Sequence, residues 1–588
     1  MPPPPDRDDP ALAFVHQGWD HLKQQRPVAA WASWRRALRI DPENKAASQA
    51  LDVLAAAGDL PRAARVEYRF SQPDGDERRA RWDRRLRGED LEDLAVAAGA
   101  FADLAEADPS DGGARLNQAY CLAWIGRNVE AIAALDLAVR ALAEPEAATR
   151  AWTLAEVLRQ GGGAETLADD LNHNLTLTWV GGTDPAGFLD ERPEVRLLPS
   201  PVDPSVGTSP LPEARVYEWL DGPPTYGPAG QARRVLSRLV RTPRMLRLSS
   251  PDPVGLEIVA EAVLGMVRDR VESARREATP LPLTFLDAAI WAIRPPAAID
   301  PGEEARFHRE AVERFYEGAW LRTPRHGLDG RSPIEAGRLA SGGDPVARAK
   351  LEAVVGFREQ LGERPTTAAL YQGYPFDRLR RRLGLSMPDP AVVDPLDPTS
   401  MSGEELDKLD PATLGDVPLA DAYESAAALG DDRRTSRFAA PLAERDPSAL
   451  ARLDIPALFA TLVRAHLADE DPDGALARLD RADVIDRELH QGRDRRTFAT
   501  WRAEVLARVG RPEAALQAYN RMFELAPESE AALAAFDAAE TMLDNGHDAE
   551  AGRLARRARR LARRAGDVAL AERAELLIPA GEEDLIDE

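Results

Sequence analysis

One cysteine, Cys121, is all that the 588 residues contain. That excludes an intramolecular disulfide framework and any zinc or iron–sulfur site built on several thiolates. Lysine is nearly as scarce: it occurs only at positions 23, 45, 350 and 408, so arginine carries the basic side. None of those lysines ends a Gly-x-x-x-x-Gly-Lys run, which removes the phosphate-cradling P-loop. No stretch approaches 18 apolar residues, so none reads as a membrane-spanning helix. The opening Met1-Pro2-Pro3-Pro4-Pro5-Asp6 lacks the basic and apolar regions of a secretory leader, and a cytoplasmic location is expected. An excess of positive charge is missing too: 75 basic residues stand against 99 acidic ones, for a net charge of -24. Such a chain repels phosphate backbones, so nucleic acid is not an expected partner without a local basic patch.

Catalytic patterns are equally scarce. Gly330-Arg331-Ser332-Pro333 fails as a nucleophile elbow, because Pro333 removes an amide and restricts the turn. The eight histidines include no His-Glu-x-x-His pair. His308, Glu310 and Glu313 form the densest cluster, but their spacing predicts a solvated helix surface. No catalytic residue, metal site or cofactor is assigned, and the chain is not expected to be an enzyme.

What the sequence does contain is internal repetition. Phe14, Gly18, Ala30, Trp34, Ala37 and Pro42 read as one helical hairpin. The small residues let two helices approach, Trp34 fills the groove between them, and Pro42 ends the second helix. Looser copies follow at Leu51, Leu54, Gly58 and Ala63, and at Ala97, Phe101 and Pro109. A clearer one follows at Ala119, Leu122, Gly126, Ala131, Leu135 and Ala138, and Trp152, Leu154 and Leu158 begin a further copy. The pattern returns at Phe459, Val463, Ala475, Leu479 and Ala482, then at Ala503, Leu506, Gly510, Ala515, Tyr519 and Pro527. It recurs around Gly546, with Ala539, Met542, Ala551 and Ala558 in register. One hairpin cannot bury its own apolar face, so neighbours must stack.

This spacing resembles the tetratricopeptide repeat, whose unit is a helical hairpin of 34 residues. The resemblance implies two α-solenoid arrays around a mixed α/β centre, in a mainly α protein. The expected organisation is a disordered start at 1–10, repeats at 11–178, a Pro/Gly-rich linker with short strands at 179–230, and a central α/β module at 231–390. An acidic, proline-rich linker at 391–415, repeats at 416–576 and an acidic tail at 577–588 complete it. In the linker, Val195-Arg196-Leu197-Leu198 and Val216-Tyr217-Glu218-Trp219 could be extended. Val235–Val240 and Met245–Leu248 flank a turn as two strands, and a helix follows from about Val254 to Val271.

Part of the centre carries a second resemblance. Trp320, Pro324, Leu328-Asp329-Gly330, Pro333, Glu335 and Ala336 precede Leu351, Tyr374, Phe376-Asp377, Leu379-Arg380 and Leu383-Gly384-Leu385. This is similar to a module of bacterial proteins that often bear a SEC-C zinc motif, in antitoxin-like settings among others. The SEC-C cysteines are missing, so zinc is not carried over and no reaction is implied.

Two arginine runs could contact phosphates, Arg378, Arg380, Arg381 and Arg382 in the centre and Arg553 to Arg564 near the end. Both read more simply as solvated helix faces, the latter as the polar cap of the last repeat. Cys121 reads as a small buried hydrophobe, and Trp31 and Trp34 as core.

In the repeat family the first helix of each hairpin lines a groove. Its outward positions map onto Trp19, Tyr120 and Trp124 in the first array, and onto Thr500, Glu504 and Arg508 in the second. Large amphipathic aromatics there suit a protein or peptide partner. The alternative is a groove filled by the protein's own chain. The functional expectation is a non-catalytic interaction scaffold, with no membrane partner. The rival is an antitoxin-like or regulatory nucleic-acid-associated protein acting through the central module and the arginine-rich helix.

Overall fold

The computed structural model describes residues 10–57, 70–86, 91–182, 184–198, 214–227, 229–280, 293–363, 373–527 and 529–578. Residues 1–9, Gly58 and Ala63 of the second repeat copy, residues 199–213 of the Pro/Gly-rich linker and the acidic tail from residue 579 lie outside the described residues. The chain divides into two compact units, 1–392 and 393–588.

The first unit opens with helical hairpins. Its helices are α1 (Pro10–Lys23), α2 (Pro27–Ile40), α3 (Lys45–Ala57), α4 (Asp76–Arg85), α5 (Leu94–Ala107), α6 (Gly112–Trp124), α7 (Asn128–Ala141) and α8 (Pro145–Arg159). The packing of α1 on α2 follows from two residues. Trp34 is wholly buried, and a Cβ on Gly18 would fall 2.6 Å from the Trp34 Cδ1. The Trp34 indole N–H donates to the Val15 carbonyl at 3.2 Å, so burying the ring leaves no orphaned donor. Proline at the first position of α2 and α8 costs no helical hydrogen bond, because that amide is unpaired in any helix.

The helical stretch ends at Arg159, earlier than the expected boundary at 178, because the first strand begins at Leu171. Among the described residues seven antiparallel strands follow: β1 (Leu171–Trp179), β2 (Val195–Leu197), β3 (Arg215–Leu220), β4 (Arg233–Arg241), β5 (Met245–Ser250), β6 (Val271–Pro280) and β7 (Ile293–Arg294). Their order is β2-β3-β4-β5-β1-β6, with β7 on β4. One face carries Leu175, Leu177, Tyr217, Trp219, Leu239, Leu246 and Leu248, covered by Leu256, Val259, Val263 and Val267 of α9 (Pro253–Val267). The alternation of strand side chains makes this an apolar face, and α9 buries it.

The other face departs from that logic. Register aligns Arg196 with Glu218, Glu218 with Arg238, Arg238 with Ser249, and Ser249 with Asn174. From Glu218 to Asn174 this polar band is buried. Its members satisfy one another: Ser249 Oγ donates to Asn174 Oδ1 at 2.8 Å, and Arg238 Nε to Glu218 Oε1 at 3.3 Å.

The remaining described residues of the first unit are mainly helical. After α10 (Pro301–Arg314) a π-helical turn spans Phe315–Trp320, and α11 (Pro333–Ser341), α12 (Pro345–Gly362) and α13 (Phe376–Arg382) follow. α12 packs against α8 and so continues the N-terminal stack. Trp152 Nε1 donates to the Gly327 carbonyl at 2.7 Å, and Arg358 pairs with Asp170. The ammonium of Lys350 lies 2.6 Å from Asp136 and 2.5 Å from Asp329.

Two surface expectations are corrected here. Arg380, Arg381 and Arg382 are buried rather than solvated. Arg380 is held by Glu352 at 2.7 Å and by Glu359, and Arg378 by Glu317 at 2.9 Å, so carboxylates on neighbouring helices make their burial tolerable. His308 is buried as well, whereas Glu310 and Glu313 stay outside on Arg306 and Arg309. Burial lowers the His308 pKa, against a weaker upward pull from Glu304.

The second unit contains α14 (Gly403–Lys408), α15 (Asp416–Ala428), α16 (Asp432–Ala443), α17 (Ile455–Ala468), α18 (Pro472–His490), α19 (Arg495–Arg508), α20 (Pro512–Leu525), α21 (Ala531–Asp544), α22 (Asp548–Ala565) and α23 (Val568–Glu575). Successive helices pack pairwise around small residues, as at Ala503, Ala515, Ala539, Ala551 and Ala558, all wholly buried. Gly510 and Gly546 adopt positive φ at the hairpin turns, where an L side chain would be strained. The protein is mainly α, with helical hairpins at both ends and a mixed α/β centre.

Candidate protein-binding grooves

In the first unit, Asn117 and Trp124 are seven residues apart on α6, two turns along one face. Tyr120 belongs to the same face and stacks on Trp124 at 5.6 Å. That face is occupied by the chain itself. Phe70 sits 5.6 Å from Trp124 and 5.2 Å from Phe101 on α5. Beside it the Ser71 amide donates to Asn117 Oδ1 at 2.8 Å, and Asn117 Nδ2 donates to the Ser71 carbonyl at 3.0 Å. A side-chain amide thus pairs with one residue's backbone as a neighbouring strand would. Trp124 is left 3% exposed and Tyr120 half-buried, with burial pushing the tyrosine hydroxyl up to about 12. Trp19 differs: it is 38% exposed and meets Trp34 edge-on at 5.1 Å. The structure therefore brings Tyr120 and Trp124 together beneath an internal segment and keeps Trp19 apart from them.

In the second unit a cleft of about 320 Å³ opens between α17 and α19. Glu504 and Arg508 line it together with Trp501 and Val505 of α19 and Val463, Arg464 and Leu467 of α17. Thr500 lies outside that lining and donates back to the Arg496 carbonyl at 3.0 Å. The Glu504 carboxyl is raised above its ordinary pKa by burial against these neighbours. Trp501 and Arg464 escaped the sequence reading, although each adjoins a repeat position; Trp501 is next to Thr500, and Arg464 next to Val463.

The remaining sequence candidates resolve into structural roles. On α22, Arg559 and Arg563 reach Glu575 at 2.7 and 3.4 Å, Arg553 reaches Glu513 at 3.4 Å, and Arg557 lies 4.2 Å over the Phe523 ring. Charges committed to carboxylates and a ring offer little to a phosphate backbone. Cys121 is wholly buried, which pushes its thiol up to about 12. Among the described residues, Asp486, His490 and Asp494 bring potential metal-ligand atoms within 4.8 Å of one another. Those atoms already close the turn after α18: the Asp494 amide donates to both Asp486 oxygens at 3.2 Å, and His490 Nδ1 lies 3.3 Å from Asp494.

No protein-family model matches the chain, and none of the curated proteins does. Among solved structures it is similar to yeast Tom70, at 13% identity over 97% of this chain and 96% of that one, with a TM-score of 0.21. It is also similar to a circular tandem repeat protein of novel repeat topology, at 10% identity over 97% and 95% of the two chains, with a TM-score of 0.16. Likeness at this level carries no argument about fold or partner.

Proposed function

We propose that this chain is a non-catalytic protein-interaction scaffold of the tetratricopeptide type, acting in the cytoplasm and gripping a partner segment in the α17–α19 cleft. The observation that carries the reading is the composition of that cleft. It joins an aromatic plate, Trp501, to aliphatic Val463, Val505 and Leu467, and rims them with Arg464, Arg508 and Glu504. Aromatic and arginine side chains around an apolar centre are what protein interfaces concentrate. The Phe70–Ser71 segment on α6 supports the same reading, since it illustrates how a groove of this chain holds a non-helical segment through an aromatic ring and a backbone pairing. The central module serves as a brace, its α12 seated on α8. The rival nucleic-acid reading gains no support from Arg553, Arg557, Arg559 and Arg563 of α22, which are engaged at home.

The test is quantitative affinity purification of the full chain from its native host. Wild type is compared with Trp501→Ala and Arg508→Ala, and with Arg564→Ala, at an exposed position of α22, as a control. A scaffold acting here loses the same small set of proteins in both cleft variants and keeps them in the control. Retention of every protein by the cleft variants would refute the assignment. Steeply salt-dependent binding to labelled duplex DNA would favour the rival.

A further inference from the structure

A different opening lies in the sheet region of the first unit, beside the end of the buried polar band. Its volume is about 520 Å³, within the range of small-molecule sites. Leu220, Pro224, Pro296 and Ile299 supply apolar lining, and Tyr226, 72% exposed, offers an unburied aromatic ring. Three arginines also line it: Arg196 on β2, Arg233 on β4 and Arg294 on β7.

The charge balance of this pocket is unusual for so acidic a chain. Glu218, wholly buried, is clamped by Arg294 through Nε and Nη2 and also receives Arg238 Nε at 3.3 Å. Arg196 stands opposite Glu218 in the β2–β3 register, but that carboxylate is already spent on two guanidiniums. Among the described residues the Arg196 guanidinium has no hydrogen-bond or ion-pair partner, although its backbone belongs to the β2–β3 ladder. Among the described residues the Arg233 guanidinium commits only Nε, to the Pro223 carbonyl at 2.9 Å, and neither terminal nitrogen has a partner there. Among the described residues the one acid of the lining, Glu304, faces His308 at 3.7 Å. Arg196, Arg233, Arg238 and Arg294 against Glu218 and Glu304 leave two positive charges in excess, in a protein of net charge -24.

Elsewhere acids find arginines readily: Arg380 holds two glutamates, Arg434 two aspartates and Arg502 two more. Like charges gathered beside an apolar recess repel one another, and a bound anion relieves that repulsion. A guanidinium fork matches the oxygens of a carboxylate or phosphate. We infer that this pocket binds a small organic oxyanion, a carboxylate or phosphate monoester with a flat apolar body. Arg196 and Arg233 take the anionic oxygens, the prolines and Tyr226 take the body, and Arg294 keeps Glu218 occupied so that it does not compete.

The test is calorimetric titration of the full chain with phenyl phosphate and benzoate, with inorganic phosphate and neutral benzamide as comparisons. The expected result is saturable binding of at least one organic anion, weaker inorganic phosphate and no benzamide. Which of phenyl phosphate and benzoate binds more tightly distinguishes the phosphate from the carboxylate source. Arg196→Gln and Arg233→Gln each remove charged hydrogen bonds and should weaken binding about tenfold or more. Arg84→Gln, a surface change on α4, should leave it unaltered, and thermal melts should show all three variants folded. Binding should also fall as sodium chloride rises. Absence of saturable uptake of either organic anion, binding of inorganic phosphate alone, equal binding of benzamide, or unchanged affinity in both pocket variants would each overturn the assignment.

Discussion

Replacing Lys350 by methionine should loosen the contact between α8 and α12 and leave the second unit unaffected. Lys350 is 1% exposed, its ammonium lies between Asp136 and Asp329, and it sits 4.2 Å over the Trp152 ring. Methionine fills a similar volume but removes the cation, leaving two carboxylates facing each other across the gap. Taking one partner from a fully buried ion pair costs about 3–5 kcal/mol. Here both aspartates are about a third exposed and Arg140 remains 3.0 Å from Asp136, so water and Arg140 recover part of that loss. The cation–π contact adds roughly 1 kcal/mol, and the expected cost is about 2–4 kcal/mol. Burial alone would raise the Asp136 pKa, but hydrogen bonds and charge from Arg140 and Lys350 outweigh it, and the carboxyl is lowered. A depressed carboxyl contributes stability above its unfolded pKa of about 3.9 and loses it as pH falls through the folded value. The difference between wild type and Lys350→Met should therefore narrow on acidification through that range. Native-state hydrogen exchange at pH 7 should show faster opening of Pro145–Arg159 and Pro345–Gly362, with Ile455–Glu575 unchanged. Urea unfolding at pH 7 and at about pH 3, below the unfolded carboxyl pKa, gives the pH trend. A loss below about 0.5 kcal/mol, equal loosening of both units, or a gap that widens in acid would refute the reasoning.

Gly18→Ala should lower the melting temperature by the equivalent of about 1–3 kcal/mol, because its methyl meets the Trp34 ring and the indole cannot retreat without leaving Val15. Among tryptophans, Trp34→Ala should cost about 3–5 kcal/mol and Trp124→Ala a comparable amount, since both are buried, whereas the exposed Trp19→Ala should cost much less; melts of the three side by side decide it, and equal melting of all three would contradict the burial argument. Cys121, with its thiol pushed up to about 12, should resist maleimide at pH 8 until the protein unfolds, and fast labelling of native protein would count against its burial. Dialysed protein should contain no stoichiometric zinc by elemental analysis; a zinc content near one per chain that falls in Asp486→Asn would assign the turn after α18 a role beyond hydrogen bonding.

The helical hairpins were legible in the sequence because their causes are local. Gly18, Ala30 and Trp34 define a close helix contact within 17 residues, and the same small and apolar spacing returns at Ala503, Ala515 and Tyr519. The strand–turn–strand of β4 and β5 was legible for the same reason, as was the place of Glu504 and Arg508 on one helix. The sites were settled by contacts without period. That Phe70 would lie on Trp124 depends on a pairing across 54 positions between segments with no shared pattern. The run Arg380-Arg381-Arg382 looks like a wet helix face until Glu352 and Glu359 arrive from a neighbouring helix to neutralise Arg380. Arg196, Arg233 and Arg294 are scattered over 99 residues and become one pocket only through the order of β2, β3, β4 and β7. Helix propensity and burial pattern are properties of neighbouring residues, so the sequence by itself determined them. The solvation of a charge depends on whatever distant group the fold brings beside it, and that only the tertiary structure decided.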